Sequence, residues 1–202
     1  MTEAMTDLEE AILVNREALS LCPTLHPDRS TVLTNLACAL SSHFAQTGLM
    51  ADLQEATLLH RESLFLHPPS HRYHSSSLYN LANALQKHFE RTGSMTDLGE
   101  AILLHRESLS FHLTHHPDRF KPLFGLSCAL RDRFKMTGSI TDVDEAISML
   151  REALSLDISP RHRLSTLKCL AHILKTRFNE NGSESDFEEM TSLRQEIRAM
   201  SK

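Results

Sequence analysis

An Asp-x-x-Glu tetrapeptide occurs five times in this chain at almost constant spacing, starting at Asp7, Asp52, Asp97, Asp142 and Asp186. The steps are 45, 45, 45 and 44 residues. A fixed period of that length marks one supersecondary unit stacked on copies of itself, each covering the apolar side of the next. The architecture of the chain therefore follows from the architecture of one unit.

Apolar residues recur at i, i+3 and i+4 after each Asp. They are Leu8, Ala11, Ile12, Ala18 and Leu19; then Leu53, Ala56, Leu59, Ser63 and Leu64; then Leu98, Ala101, Ile102, Ser108 and Leu109. That periodicity predicts an amphipathic helix. Asp at an N-cap with Glu three residues later reads as a capping box that also opposes the helix dipole. The five copies are thus expected to be caps rather than paired catalytic carboxylates.

A second helix type runs from Leu33 to Leu40 with Phe44, and recurs as Leu78–Leu85 with Phe89, Leu123–Leu130 with Phe134, and Leu167–Leu174 with Phe178. Its small column, Ala37, Ala82, Ser127 and Ala171, admits a close neighbour. The Phe column is expected to be the large knob between units. Each such helix ends at a glycine, Gly48, Gly93, Gly138 or Gly182, suited to a left-handed cap. The longer connections carry His and Pro, with Asp28 and Asp118 placed to cap the following helix. Pro122 is expected in the first turn of its helix, and Gly125 within that helix costs roughly 1 kcal/mol. Nothing between the helices reads as a strand.

Composition narrows the function. Apolar residues are 41% and charged residues 23%, which fits a folded chain. The net charge of −5 gives no basic excess, so nucleic acid is not an expected partner. No apolar run approaches the ~20 residues that span a bilayer, so no membrane segment is expected. The opening Met1-Thr2-Glu3-Ala4 lacks the pattern of a secretory signal. Cys22, Cys38, Cys128 and Cys169 form no Cys-x-x-Cys pair and read as buried, reduced thiols of a cytoplasmic protein.

These columns resemble the tetratricopeptide repeat, a helix-turn-helix unit whose usual period is about 34 residues. Ala56, Ser63 and Pro68, and again Ala11, Ala18 and Pro23, are spaced as that family's small, small and proline positions. Asn35-Leu36-Ala37 and Asn80-Leu81-Ala82 look like the signature of its other helix. His26-Pro27-Asp28 and His116-Pro117-Asp118 are similar to the longer, kinesin-light-chain-type variants. The runs from Leu59 to Leu64 and from Leu104 to Leu109 look most like arrays of mushroom-forming fungi. Pro68 has no counterpart at Leu113 or Ile158, so the later turns are expected to be looser.

The resemblance implies an all-α fold, a right-handed α-solenoid of antiparallel helix pairs with about nine helices. The whole chain, 1–202, is expected to be one domain. Its units are a lone helix at 5–22 and pairs at 29–67, 74–112, 119–157 and 163–200. The unpaired opening helix is expected to be a cut edge of a longer array, a cap or a contact with another subunit. By the same resemblance, the Asn-Leu-Ala helices line a concave groove that binds a peptide or protein segment. The expected lining is Asn35, Cys38, Tyr79, Asn80, Asn83, Lys87, Phe124, Arg131, Lys168, His172 and Lys175, with Thr34 and Ser41 beside them. Amides such as Asn83 can donate and accept together along a peptide backbone. Lys87, Arg131, Lys168 and Lys175 favour an acidic partner. The alternatives are a self-assembling module joined through its terminal helices, near Leu8 and Ile12, or a regulatory array of a larger effector.

Histidines crowd two connections, His67, His71 and His74 in one and His112, His115 and His116 in the other. Imidazoles bind Zn or Ni, but a site needs convergent donors, and neither metal nor cofactor is expected. His60 and His105 stand at an aromatic position of the repeat and are expected to pack. No Gly-rich phosphate loop is present, and no base is evident beside a cysteine, so the chain is not expected to be an enzyme.

Overall fold

The computed structural model describes residues 3–114 and 116–200, with side chains from Met5 onward. Among them are nine α-helices and no strand. The odd-numbered helices are α1 (Glu3–Leu21), α3 (Met50–Leu66), α5 (Met95–Ser110), α7 (Ile140–Ser155) and α9 (Glu184–Met200). The even-numbered ones are α2 (Arg29–Thr47), α4 (His74–Thr92), α6 (Phe120–Thr137) and α8 (Pro160–Asn181). The chain divides into two compact units, one ending at Ser108 and one beginning at Leu109.

Each even helix turns into the next odd helix through one recurring connection. Gly48 and Gly93 sit at φ +73° and +72°, where a Cβ would be strained, and their N–H groups donate to the carbonyls of Phe44 and Phe89 at 2.7 Å. The preceding Thr47 and Thr92 hydroxyls accept the amides of Leu49 and Ser94, both at 3.2 Å. Thr137 does the same for Ser139, and Asn181 substitutes its amide oxygen toward Ser183. The tight turn forces the two helices antiparallel and side by side.

Their facing sides are aliphatic and dry. In the first unit Ile12, Leu36, Ala37, Leu40 and Ala56 form one cluster, and Leu81, Ala82, Leu85 and Ala101 another. In the second, Phe120, Leu123, Ala153 and Leu156 pack together with Phe124 and Met149 beside them. Ile12 is therefore not an open apolar face of α1, as the self-assembly expectation required; α2 covers it. Pro122 lies third in α6, and the helix continues through Gly125.

The Asp-x-x-Glu motif is not a capping box. Helix α3 begins at Met50, so Asp52 is already inside its first turn, and the cap position is Leu49. In α5 and α9 the hydroxyls of Ser94 and Ser183 accept the Asp97 and Asp186 amides instead. The carboxylates reach back nine residues to the preceding even helix. Asp52 meets His43 Nδ1 at 2.6 Å and Asp97 meets His88 Nδ1 at 2.7 Å. Arg133 donates two bonds to Asp142 at 2.7 and 2.6 Å, and Arg177 donates two to Asp186 at 2.8 and 2.6 Å. The Glu of the motif reaches further back, to the preceding odd helix. Arg16 binds Glu55, Arg61 binds Glu100, and Arg151 binds Glu189. One tetrapeptide thus ties its helix to two others.

Arginines at or just before the start of α2 and α6 close their pairs at the other end. Arg29 and Arg119 donate to Glu62 and Glu152, and also to the carbonyls of Cys22 and His112. The expected caps Asp28 and Asp118 do not act through their side chains. His26 and His116 Nδ1 instead accept those residues' amides, both at 3.2 Å.

Phe44, Phe89 and Phe134 are buried, as the knob column requires, but Phe178 is only half-buried and rests on Phe187 at 5.5 Å between ring centroids. Phe89→Ala should cost about 3–5 kcal/mol in urea unfolding, and Phe178→Ala distinctly less. Equal losses, or a loss below about 1 kcal/mol at Phe89, would contradict this packing.

Candidate functional site

Packing fixes the other side of each even helix as the exposed one, and in the first unit that side carries two neighbouring cavities. One, of about 200 Å³, is lined by Thr31, Thr34, Asn35, His67, Tyr73, Ser76, Ser77 and Asn80. The other, of about 210 Å³, is lined by Cys38, Ser41, Ser42, His60, Asn80, Asn83, Ala84 and Lys87. Asn80 belongs to both. Of the residues expected from sequence, Asn35, Cys38, Asn80, Asn83 and Lys87 are brought together here.

Two of the expected positions serve the fold as well. Thr34 Oγ1 donates to the Ser30 carbonyl and shares a 2.9 Å hydrogen bond with Ser63 across the helix pair. Tyr79 packs its ring on His105 at 5.7 Å. Sequence reasoning missed His60, His67 and Tyr73, which come from α3 and the connection before α4. A signal existed, because His60 stands one 45-residue period before His105, both within otherwise apolar faces.

In the second unit the even helices α6 and α8 present Arg131, Lys168, His172 and Lys175. Phe124 is a correction: its ring lies tilted against Phe120 at 5.7 Å between centroids, and it packs, partly buried, against the apolar cluster rather than standing on an open face. Arg131 is held by Asp132 through bonds of 3.0 and 3.2 Å, and Asp132 also takes Lys135 at 3.1 Å, so part of the expected positive charge is neutralised. The remaining field is still positive at His172, whose imidazole is pushed down by burial and then by Arg131, Lys135 and Lys175. Lys87 belongs to the first unit and there lowers His60, after burial.

The cysteines depart from expectation. Cys38 is exposed, and Cys22, Cys128 and Cys169 are half-buried; all are free thiols.

The His-rich connections are built as turns. His26, His71 and His116 each accept the amide two residues on, at 3.2 Å in every case. His67 stacks on His71 at 4.2 Å, and His112 on His116 at 5.7 Å. Among the described residues His112, His116 and Asp118 offer donor atoms within 4.8 Å of one another. His116 Nδ1 is already an acceptor there, which leaves its proton on Nε2 and works against a metal at that atom. His74 packs at the start of α4, its Nδ1 against the His67 carbonyl. His115 lies outside the described residues.

With this geometry established, the comparisons with known proteins bear on the fold. The tetratricopeptide repeat model matches residues 75–118. A search of curated proteins finds no match. A Podosopora anserina protein described as kinesin light chain nearly identical TPR-like repeats superposes with a TM-score of 0.60 at 22% identity, covering 98% of this chain and 86% of that one. The MamA RS-1 ArsTM double mutant superposes at 0.61 and 15% identity, over 94% and 86% of the two chains. The fold is that of helical repeat proteins. More particularly, residues 75–118 are similar to the tetratricopeptide repeat, and the fold is similar to that of the kinesin-light-chain-type repeat structure across nearly the whole chain. No described helix is long and apolar enough to cross a membrane.

His60 and His105 are buried as expected, and burial pushes both imidazoles down to about 4 from 6.5. Neither ring nitrogen of His105 has a hydrogen-bond partner. The folded-state values lie below the unfolded ones, so the unfolded chain binds more protons between them. Their stabilising contribution is present above pH 6.5 and lost as pH falls toward 4, on the order of 3 kcal/mol for each. Urea midpoints should fall between pH 7 and 4.5, and His105→Phe should flatten the decline. A midpoint equally sensitive in that variant would contradict the assignment.

Proposed function

We propose that this chain is a protein-interaction scaffold that holds a peptide or protein segment against its even-numbered helices, acting as one domain of the cytoplasm without catalysis of its own. The observation that carries this reading is the pair of cavities sharing Asn80. Asn35, Asn80 and Asn83 place amides along one face, each able to donate to a peptide carbonyl and accept from a peptide amide. Lys87 at one end adds a charge suited to an acidic residue. His172, lowered in part by three neighbouring cations, supports the same preference on α6 and α8.

The recurring carboxylates favour a non-catalytic role. Asp52, Asp97, Asp142 and Asp186 are all engaged in bonds between helices, leaving no free acid–base pair among them. Unbridged thiols are in keeping with a reducing compartment.

Peptides selected by the full chain from a random display library should be rich in Asp and Glu. The double substitution Asn83→Ala/Lys87→Ala should weaken them about tenfold or more, since hydrogen bonds to charged groups contribute about 1.5–3 kcal/mol. Its melting temperature should stay unchanged. Selected peptides whose affinity ignores both substitutions would refute this face as the site.

Self-association is a second reading with its own observation. Leu13, Leu58 and Leu103 occupy one repeat position and are 66%, 67% and 65% exposed, an apolar row on the odd helices. This reading expects a mass that rises with concentration in light scattering and falls to the monomer with Leu58→Glu. A monomer at every concentration removes it.

A further inference from the structure

We propose that the cavity lined by His67 is a specificity subsite for an uncharged carboxamide side chain, Gln or Asn, of the bound peptide. The inference rests on the even-helix face being the peptide site, and it names the residue that this cavity selects.

The two cavities that share Asn80 differ in charge. Lys87 lines one, whereas no Lys, Arg, Asp or Glu lines the one that holds His67. Its polar groups are hydroxyls, the amides of Asn35 and Asn80, and the His67 ring. Burial, with His71 and His74 behind it, pushes the His67 imidazole down, so the ring is neutral near pH 7. Arg72 touches this set through Tyr73, lying 4.4 Å over its ring, but is exposed, where water weakens its field.

Hydrogen-bonding capacity is unspent on three of these groups. Thr34 is taken by Ser30 and Ser63, and Ser77 by His67 Nδ1 at 2.7 Å. Among the described residues the Asn35 and Asn80 amides have no partner. His67 is only 4% exposed, and its Nε2 is a buried atom without a partner. Buried polar atoms are nearly always paired, so an unpaired one on a residue lining a cavity points to a ligand. The Ser77 hydroxyl can either donate to Nδ1 or accept from it, which lets Nε2 take either role.

Those demands exclude most side chains. A Lys or Arg end only donates, and an ionised Asp or Glu only accepts. Neither would find an opposite charge here to offset its desolvation. An apolar side chain would displace water from Asn35 and Asn80 and put no partner in its place. A carboxamide brings two donors and an acceptor without charge, and its end can turn over to suit either state of His67. The volume of about 200 Å³ is the share of roughly seven waters, room for one such side chain. The acidic residue of the peptide then belongs beside Lys87 and the carboxamide in the neighbouring cavity, with Asn80 bordering both.

The test selects short peptides from a random display library with the full chain. Peptides whose affinity falls with Asn83→Ala/Lys87→Ala should carry Gln or Asn at a fixed offset from an acidic residue. Exchanging a Gln there for Glu or for Met should weaken binding to the wild-type chain about tenfold or more. In Asn35→Ala, which removes an exposed side chain, both losses should shrink to about threefold or less. His67→Phe keeps a flat ring against His71 and should do the same; where it fails to fold, Asn35→Ala decides. Peptides that respond to Asn83→Ala/Lys87→Ala yet show no carboxamide preference would overturn the subsite and leave the peptide face standing. A preference undiminished in Asn35→Ala would do likewise. Peptides that ignore Asn83→Ala/Lys87→Ala would overturn both.

Discussion

The dry seam between an even helix and the odd helix that follows it is the contact on which everything else depends. Leu36, Ala37, Leu40 and Ala56 in one pair, and Leu81, Ala82, Leu85 and Ala101 in the next, are almost wholly withdrawn from water. Each fully buried Leu contributes about 1.5–3 kcal/mol, whereas the attraction within an ion pair whose carboxylate is buried, as at Asp142 and Asp186, is largely offset by the cost of desolvating it. The seam therefore supplies stability, and the ion pairs supply something else. Leucine and alanine surfaces can slide by a turn at modest loss, but a carboxylate that must meet a base nine residues earlier cannot. Asp52, Asp97, Asp142 and Asp186 set the register that the seam leaves loose.

Division of labour between the two faces of the even helices gives the scaffold its use. One face is consumed by packing, which fixes the backbone, and the opposite face is left to vary. On that face the repeat positions diverge freely: Asn35 and Asn80 correspond to Gly125 and Cys169, and Cys38 and Cys128 to Asn83 and His172. Similar backbones thus present different chemistry from unit to unit, an amide-lined pair of cavities in one and the basic side chains Arg131, Lys168 and Lys175 in the other. A fold of this kind says little about function by itself; the variable face carries it.

What could be read from the sequence was whatever repeats in register. The period, the glycine turns, the small column and three of the four phenylalanine knobs all recur at fixed offsets, and the packing histidines His60 and His105 stand in an apolar face. The amide face was legible for the same reason. The carboxylates were misread because local propensity gives Asp-x-x-Glu an adequate explanation within one helix, while its partners lie on two others. A constant base nine residues before Asp, in His43, His88, Arg133 and Arg177, was the available signal. Histidine caps were missed since Asp28 and Asp118 satisfy the usual capping preference.

Whether the aspartates clasp helices or merely cap them can be decided by one measurement, a double-mutant cycle at Arg133 and Asp142 in urea unfolding. A clasp predicts a coupling energy on the order of 1–3 kcal/mol between Arg133→Ala and Asp142→Ala. A cap acts within α7 alone, so strictly additive losses would contradict the account.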